Sequence, residues 1–261
     1  MQYSRREFLA LLPIVIGTAY MTARGRSGEV IAIGQEHRTP QGYTPASLES
    51  QVGVFYALDK LRKEGNITIV LKEGSAGPYV PFPQLCADAK QVQTEGKLKD
   101  LLVTYQVGGS EVFAAAHRFP TEGYFTPKFE ESARQVSEDS AERDGFVKSW
   151  MKQPMSRKSI ARQILLCTAY EQLIDDHNRL LEERVEQEKG GRVAIVTGKV
   201  HFAYLKERTS ITALNTPGKY QGDAGLVKLK EERQRRVEFL LRLQYTLQHM
   251  EANGLSEWAL K

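Results

Sequence analysis

The sequence predicts an α/β protein, with a mixed, largely parallel central sheet flanked by helices, and three observations carry that expectation. Val30-Ile31-Ala32-Ile33 and Val193-Ala194-Ile195-Val196 are short apolar runs, each followed by a glycine within two residues, as expected of strands buried on both faces. Between the first run and a third, Ile67-Thr68-Ile69-Val70-Leu71, the residues Leu48, Val52, Phe55, Leu58 and Leu61 recur at helical spacing. Strand, helix and strand over residues 29 to 71 therefore form a βαβ unit, whose parallel strands bring their carboxyl ends to one edge.

The 261 residues, 41% hydrophobic and 26% charged, can bury a substantial core. Residues 1–28 read as a signal or anchor segment with a linker, and residues 29–261 as a single α/β domain. Its core spans 29–74 and 158–215, with a helical insertion over 75–157 and a carboxyl-terminal helix over 225–250. Thr44-Pro45 is a helix N-cap followed by proline at the first helical position. Gly65-Asn66 ends that helix. Gly77-Pro78, Pro81 and Pro83 mark a loop, Leu101 to Tyr105 suggests a short strand, and Ser110 to His117 a helix. The polar stretch from Lys128 to Lys148 reads as an exposed helix or cover. Ile160, Ile164, Leu165, Ala169, Leu173, Ile174, Leu180 and Leu181 set out a long helix from Lys158 to Glu188, which stops at Gly190-Gly191. Ile211 to Leu214 is a final strand. Leu226 to Met250 is an amphipathic helix whose basic face is read as solvated.

A net charge of +4, with Lys and Arg mostly alternating with acids, gives no reason to expect a nucleic-acid partner. Cys86 and Cys167 are too few for a disulfide framework or a cysteine-rich zinc site. One disulfide is open to an exported chain, and a buried free thiol is the simpler expectation for Cys167.

Ser4-Arg5-Arg6-Glu7-Phe8-Leu9 precedes an apolar stretch from Phe8 to Met21, broken by Pro13 and Gly17. This segment resembles a twin-arginine export signal. The resemblance implies handling by the twin-arginine export machinery, transport of an already folded protein, and a destination in the periplasm or at the extracytoplasmic face. The segment is either cut near Ala19 to Ala23 or kept as an anchor that associates the protein with the membrane.

The chemistry-bearing pattern is Gly-x-x-His, which occurs as Gly34-Gln35-Glu36-His37 and again as Gly198-Lys199-Val200-His201. Each follows an apolar strand, and glycine would turn the chain out of the strand so that the next side chains overhang its carboxyl end. Open α/β sheets place their sites there. Glu73 lies just past the strand ending at Leu71. Two neutral imidazoles and a carboxylate make a first shell for Zn, Mn or Fe, so His37, Glu73 and His201 are expected to hold a divalent metal ion. Such an ion can bring the pKa of its water near 7, which points to hydrolysis.

These residues, with Glu73-Gly74 after the second strand, resemble the TraB/TIKI-type, ChaN-like and erythromycin-esterase-like superfamily. The resemblance covers about residues 29 to 215. It implies an α/β core with added helices, an active site of paired histidines and glutamate, and a peptide, ester or small-molecule substrate. Its esterase-like and ChaN-like pattern has Glu directly after Gly, where this chain has Gln35, leaving Glu36 as the general-base candidate. Members carry an arginine early in the helix before the second motif, a place open to Arg157 or Arg162, with Arg157 preferred. A guanidinium there could hold an oxyanion. His117 and Glu122 form a secondary candidate pair, and His177 and His249 are read as solvent-exposed. The leading expectation is an exported metal-dependent hydrolase. The alternatives are a non-catalytic iron- or haem-binding protein and a membrane-associated scaffold.

Overall fold

The computed structural model describes residues 30–258, apart from residues 40, 151, 153, 189, 190, 210 and 221. The twin-arginine-like segment lies outside the described residues. Among them, in chain order, come β1 (Val30–Gln35), α1 (Pro45–Lys63), β2 (Ile69–Lys72), β3 (Ala76–Pro78), α2 (Pro83–Ala89), α3 (Glu95–Tyr105), α4 (Gly109–His117), β4 (Thr121–Tyr124) and α5 (Pro127–Glu138). Then follow α6 (Ser140–Ser149), β5 (Met155–Ser156), α7 (Arg157–Gln187), β6 (Val193–Gly198), α8 (Lys199–Arg208), β7 (Thr212–Asn215), α9 (Gly222–Ala252) and β8 (Glu257–Trp258).

Six strands build one sheet in the order β3-β4-β2-β6-β1-β7, parallel throughout except where β3 runs against β4. The α/β expectation holds. β6 lies between β1 and β2, so the three strands singled out by their apolar runs are consecutive in the sheet. Their registers, Gln35 opposite Gly198 and Lys72 opposite Val196, bring His37, Glu73 and the start of α8 to one edge.

Alternation along the strands divides the core between two faces. Ile31, Ile33, Val70, Ala194 and Val196 pack with Leu58, Leu85, Leu102 and Phe113 from α1 to α4. Val30, Ala32, Leu71, Val193 and Ile195 pack with Leu181, Phe202, Leu205 and Leu226 from α7, α8 and α9. Each Val, Leu, Ile or Phe among them, fully buried, contributes about 1.5–3 kcal/mol before conformational entropy is set against it. A smaller cluster of Phe146, Met155, Ile160, Leu243 and Met250 ties α6 and the start of α7 to the end of α9. The β5–β8 ribbon closes that end.

The cap at Thr44 forms as expected: its hydroxyl accepts from the Ser47 amide, and the Ser47 hydroxyl accepts from the Thr44 amide. Leu101 to Tyr105 is not a strand but the last turns of α3. Thr94 caps that helix, and Leu98, Leu101, Leu102 and Tyr105 follow a helical period that outweighs the local run of β-branched residues. The segment read as a proline-rich loop contains β3, and β4 was not anticipated. Residues 127–149 form two helices instead of one. Cys86 and Cys167 are both free thiols. Among the described residues no helix is long and apolar enough to cross a membrane.

Candidate metal centre

Glu73 is the first residue past β2, and its amide donates to the Val196 carbonyl at 3.0 Å, which continues the parallel ladder by one residue. Counting from Leu71, it projects to the α7–α8 side of the sheet. One carboxylate oxygen, Oε2, accepts from the Gly198 amide at 2.6 Å and the Thr197 hydroxyl at 3.3 Å. It also lies 3.2 Å from His37 Nε2. His201 stands in the first turn of α8, directly after the strand-ending glycine.

The third member comes from α7. His177, read from sequence as a solvent-exposed residue, is 4% exposed, and its ring lies against that of His201 with centroids 3.6 Å apart. Its Nδ1 is 4.0 Å from the Glu73 Oε1. Tyr124, Phe125 and Phe129 wall the other sides of the ring. Ligand atoms of Glu73, His177 and His201 all lie within 4.8 Å of one another. Ligands held at about 2.0–2.3 Å from one ion are themselves about 3–4 Å apart, so small side-chain movements would complete the shell.

Hydrogen bonds on the far nitrogens prepare both imidazoles. His201 Nδ1 is 2.8 Å from the Asn178 amide oxygen, which can only accept; Nδ1 therefore carries the proton and Nε2 the lone pair. His177 Nε2 is 2.8 Å from the Tyr124 hydroxyl, which donates to Thr197 Oγ1 at 2.9 Å. Thr197 in turn donates to Glu73. The direction of that chain protonates His177 at Nε2 and leaves its lone pair on Nδ1, the atom nearer Glu73. Outer partners of this kind fix tautomer and ring orientation in metal sites.

No family model, curated protein or solved structure matches this chain.

Electrostatics favour the ligating forms. Burial pushes His201 down to about 3, with the neighbouring His177 adding to the effect. Burial likewise lowers His177, against the pull of Glu73. Burial would raise Glu73, but the charge and hydrogen bond of His37, followed by His177 and His201, bring it well below the usual carboxylate range. Two neutral imidazoles and an ionised carboxylate are the donor set that a divalent cation requires. His37 differs. The Glu73 charge raises its pKa over the opposing effect of burial, and although densely surrounded it keeps 51% of its side-chain surface open to solvent. That exposure weakens the pair by screening and makes His37 the mouth of the site.

Of the expected ligands, the structure brings Glu73 and His201 together, and His177 takes the place given to His37. Glu36 is turned away. Its carboxylate accepts from Lys199 Nζ at 3.2 Å and the Tyr220 amide at 3.0 Å. Lys199 is itself buried and also donates to the carbonyls of Thr216 and Pro217. Neither candidate arginine reaches the centre. Arg157 is 3.8 Å from Glu251 at the opposite end of α7, and Arg162 pairs with Asp139 and Glu142. Twenty and fifteen residues separate them from His177, about 30 and 22 Å along a helix. His117 packs among Phe55 and Phe113 with its Nε2 3.2 Å from Asp59, and Glu122 lies 3.6 Å from Arg184, so both are engaged elsewhere. His249 is exposed as expected.

The glycines of the two motifs also act differently from expectation. Gly34 lies inside β1, and Gly198 has φ −57°, a value open to any residue. What each needs is space. A Cβ on Gly198 would fall 2.8 Å from His37 Nε2, and one on Gly34 would fall 2.7 Å from Phe202 Cγ.

Proposed function

We propose that this protein is an exported metal-dependent hydrolase that cleaves a peptide or ester bond at a centre formed by Glu73, His177 and His201. One observation carries the reading: three ligand atoms within 4.8 Å of one another, on imidazoles whose outer nitrogens are already engaged. A divalent ion held there would acidify a water towards neutrality and polarise the scissile carbonyl. His37, half open beside Glu73, is positioned to take a proton from the attacking water and pass it to the leaving group. Glu36, expected to serve as the base, is committed to Lys199.

The two Gly-x-x-His motifs and Glu73 support membership of the TraB/TIKI-type, ChaN-like and erythromycin-esterase-like superfamily, and Arg5-Arg6 with Phe8-Leu9 supports twin-arginine export. A haem held between two imidazoles is disfavoured, because the His177 and His201 rings lie 3.6 Å apart and leave no room for a macrocycle between them.

Metal content and hydrolysis of a chromogenic ester, measured together, test the proposal. The wild type is expected to bind one Mn, Zn or Fe ion per chain, His177→Ala and His201→Ala to lose it, and His37→Ala to keep the ion while losing hydrolysis. Equal metal content in the wild type and both ligand variants would end the metal reading. Metal binding without turnover would leave a binding protein.

A further inference from the structure

A second site lies along α7, away from the metal centre. Helices α6, α7 and α9 line an open cleft of about 460 Å³ whose walls include Val147, Cys167 and Phe239, a size in the range of pockets for small organic ligands. It shares no lining residue with the proposed active centre, and Tyr170 on its wall is seven residues, about 10 Å of helix, from His177.

The charges at its rim are unequal. Arg143 pairs with Asp144, and Arg233 and Arg236 share Glu171. Those contacts answer both lining carboxylates. Arg143 also lies 4.0 Å over the face of Tyr170, with Arg236 at 5.5 Å from the same ring. Arg235 is left over. It lines the cavity, is exposed, and has no acidic partner among the described residues. An apolar chamber with one unanswered guanidinium at its mouth is complementary to a ligand with an apolar body and a single anionic head.

We propose that this cavity binds a fatty-acid-like carboxylate, with the chain against Val147, Cys167 and Phe239 and the head group at Arg235. Val147, 46% exposed, is then an apolar side chain that the ligand covers. The proposal stands apart from the hydrolase reading, since none of its residues touches Glu73, His177 or His201.

The two cysteines provide the assay. Cys167 lines the cavity, whereas Cys86 lies on α2, on the other side of the sheet. Alkylation of full-length protein by N-ethylmaleimide, followed by mass spectrometry, should show dodecanoate slowing modification of Cys167 and not of Cys86, below the concentration at which the acid self-associates. Dodecanol at the same concentration should protect poorly. Arg235→Ala should raise the protecting concentration about tenfold, the scale of one lost charge-assisted contact. Val147→Trp should weaken protection by taking up part of the space that the ligand's chain occupies. Equal protection by dodecanol, or unchanged protection in either variant, would overturn the proposal. So would a Cys167 already shielded without ligand, which would point to a segment of the chain itself in the cavity.

Discussion

The closely packed, buried imidazoles make acid stability the sharpest test of the centre. His201 has a pKa of about 3 in the folded chain against 6.5 for the free side chain. Between those values the unfolded chain holds a proton that the folded chain lacks, so stability falls as the pH drops. At about 1.4 kcal/mol per pH unit, going from pH 6.5 to 4 removes about 3 kcal/mol, a large part of the 5–15 kcal/mol typical of a folded domain. His177, also lowered by burial, steepens the same limb. The Glu73 contribution, present above its unfolded pKa, is lost only on further acidification. His37 has the opposite sign. Its pKa is raised, so its contribution is complete below about 6.5 and is lost as the pH climbs through its folded value. Metal-free protein should therefore be most stable near pH 6.5, with a steep acid limb and a shallow alkaline one. Urea unfolding midpoints in a chelator between pH 4.5 and 8.5 would trace both limbs. His201→Asn should flatten the acid limb and His37→Asn the alkaline one, slopes being compared because each variant also shifts stability at every pH. An acid limb of full steepness in His201→Asn would refute the assignment.

Three other substitutions separate packing from chemistry. Asn178→Ala frees the His201 ring and is expected to weaken metal affinity about 10–100-fold, measured by competition with a chromogenic chelator while circular dichroism stays unchanged. Gly198→Ala places a methyl 2.8 Å from His37 Nε2 and 3.3 Å from Glu73 Oε2; because His37 is half exposed it can swing outward, so hydrolysis should fall sharply at a stability cost of about 1 kcal/mol, the low end for overpacking. Gly109→Ala would put its Cβ 2.0 Å from the Gln51 carbonyl oxygen, a clash of backbone against backbone that forces α1 and α4 apart. It should cost about 3 kcal/mol or more in thermal or urea unfolding, with full stability contradicting this packing.

Strands with both faces buried are legible because their composition is nearly uniform, and β1, β2 and β6 were found for that reason. Glu73 and His201 followed from them, since a position just past a parallel strand fixes which edge a side chain occupies. His177 was missed because Asp175-Asp176-His177-Asn178-Arg179 looks like a solvated surface in one dimension. A signal was nonetheless present: His177 falls three residues after Ile174 and four before Leu181, both buried, so helical spacing already assigned it to the inner stripe. Arg157 failed for a different reason. Nothing in the sequence says which turn of a 31-residue helix meets the sheet edge, and the start of α7 turned out to be its far end. β4, Thr121–Tyr124, is too short and too rich in polar residues and glycine to show a period. Tyr124 and Thr197, which complete the relay to Glu73, had no local mark at all.

The repeated Gly-x-x-His pattern has a physical explanation that depends on neither motif alone. β1 and β6 are parallel neighbours with Gly34 opposite Thr197 and Gln35 opposite Gly198, so each motif's overhang passes across the other's strand end. The missing side chain at Gly198 makes room for His37, from the first motif, and the one at Gly34 makes room for Phe202, the residue after His201 in the second. Each glycine thus serves the partner motif. Phe202 is 1% exposed, so it cannot yield as His37 can, and it fixes how closely the first turn of α8 approaches the sheet. Because His201 precedes Phe202 on that turn, the depth of the imidazole beside His177 is set by a glycine on another strand. The two motifs are halves of one interlock, and the close approach they permit is what brings a crossover-helix histidine within reach of the carboxylate at the sheet edge.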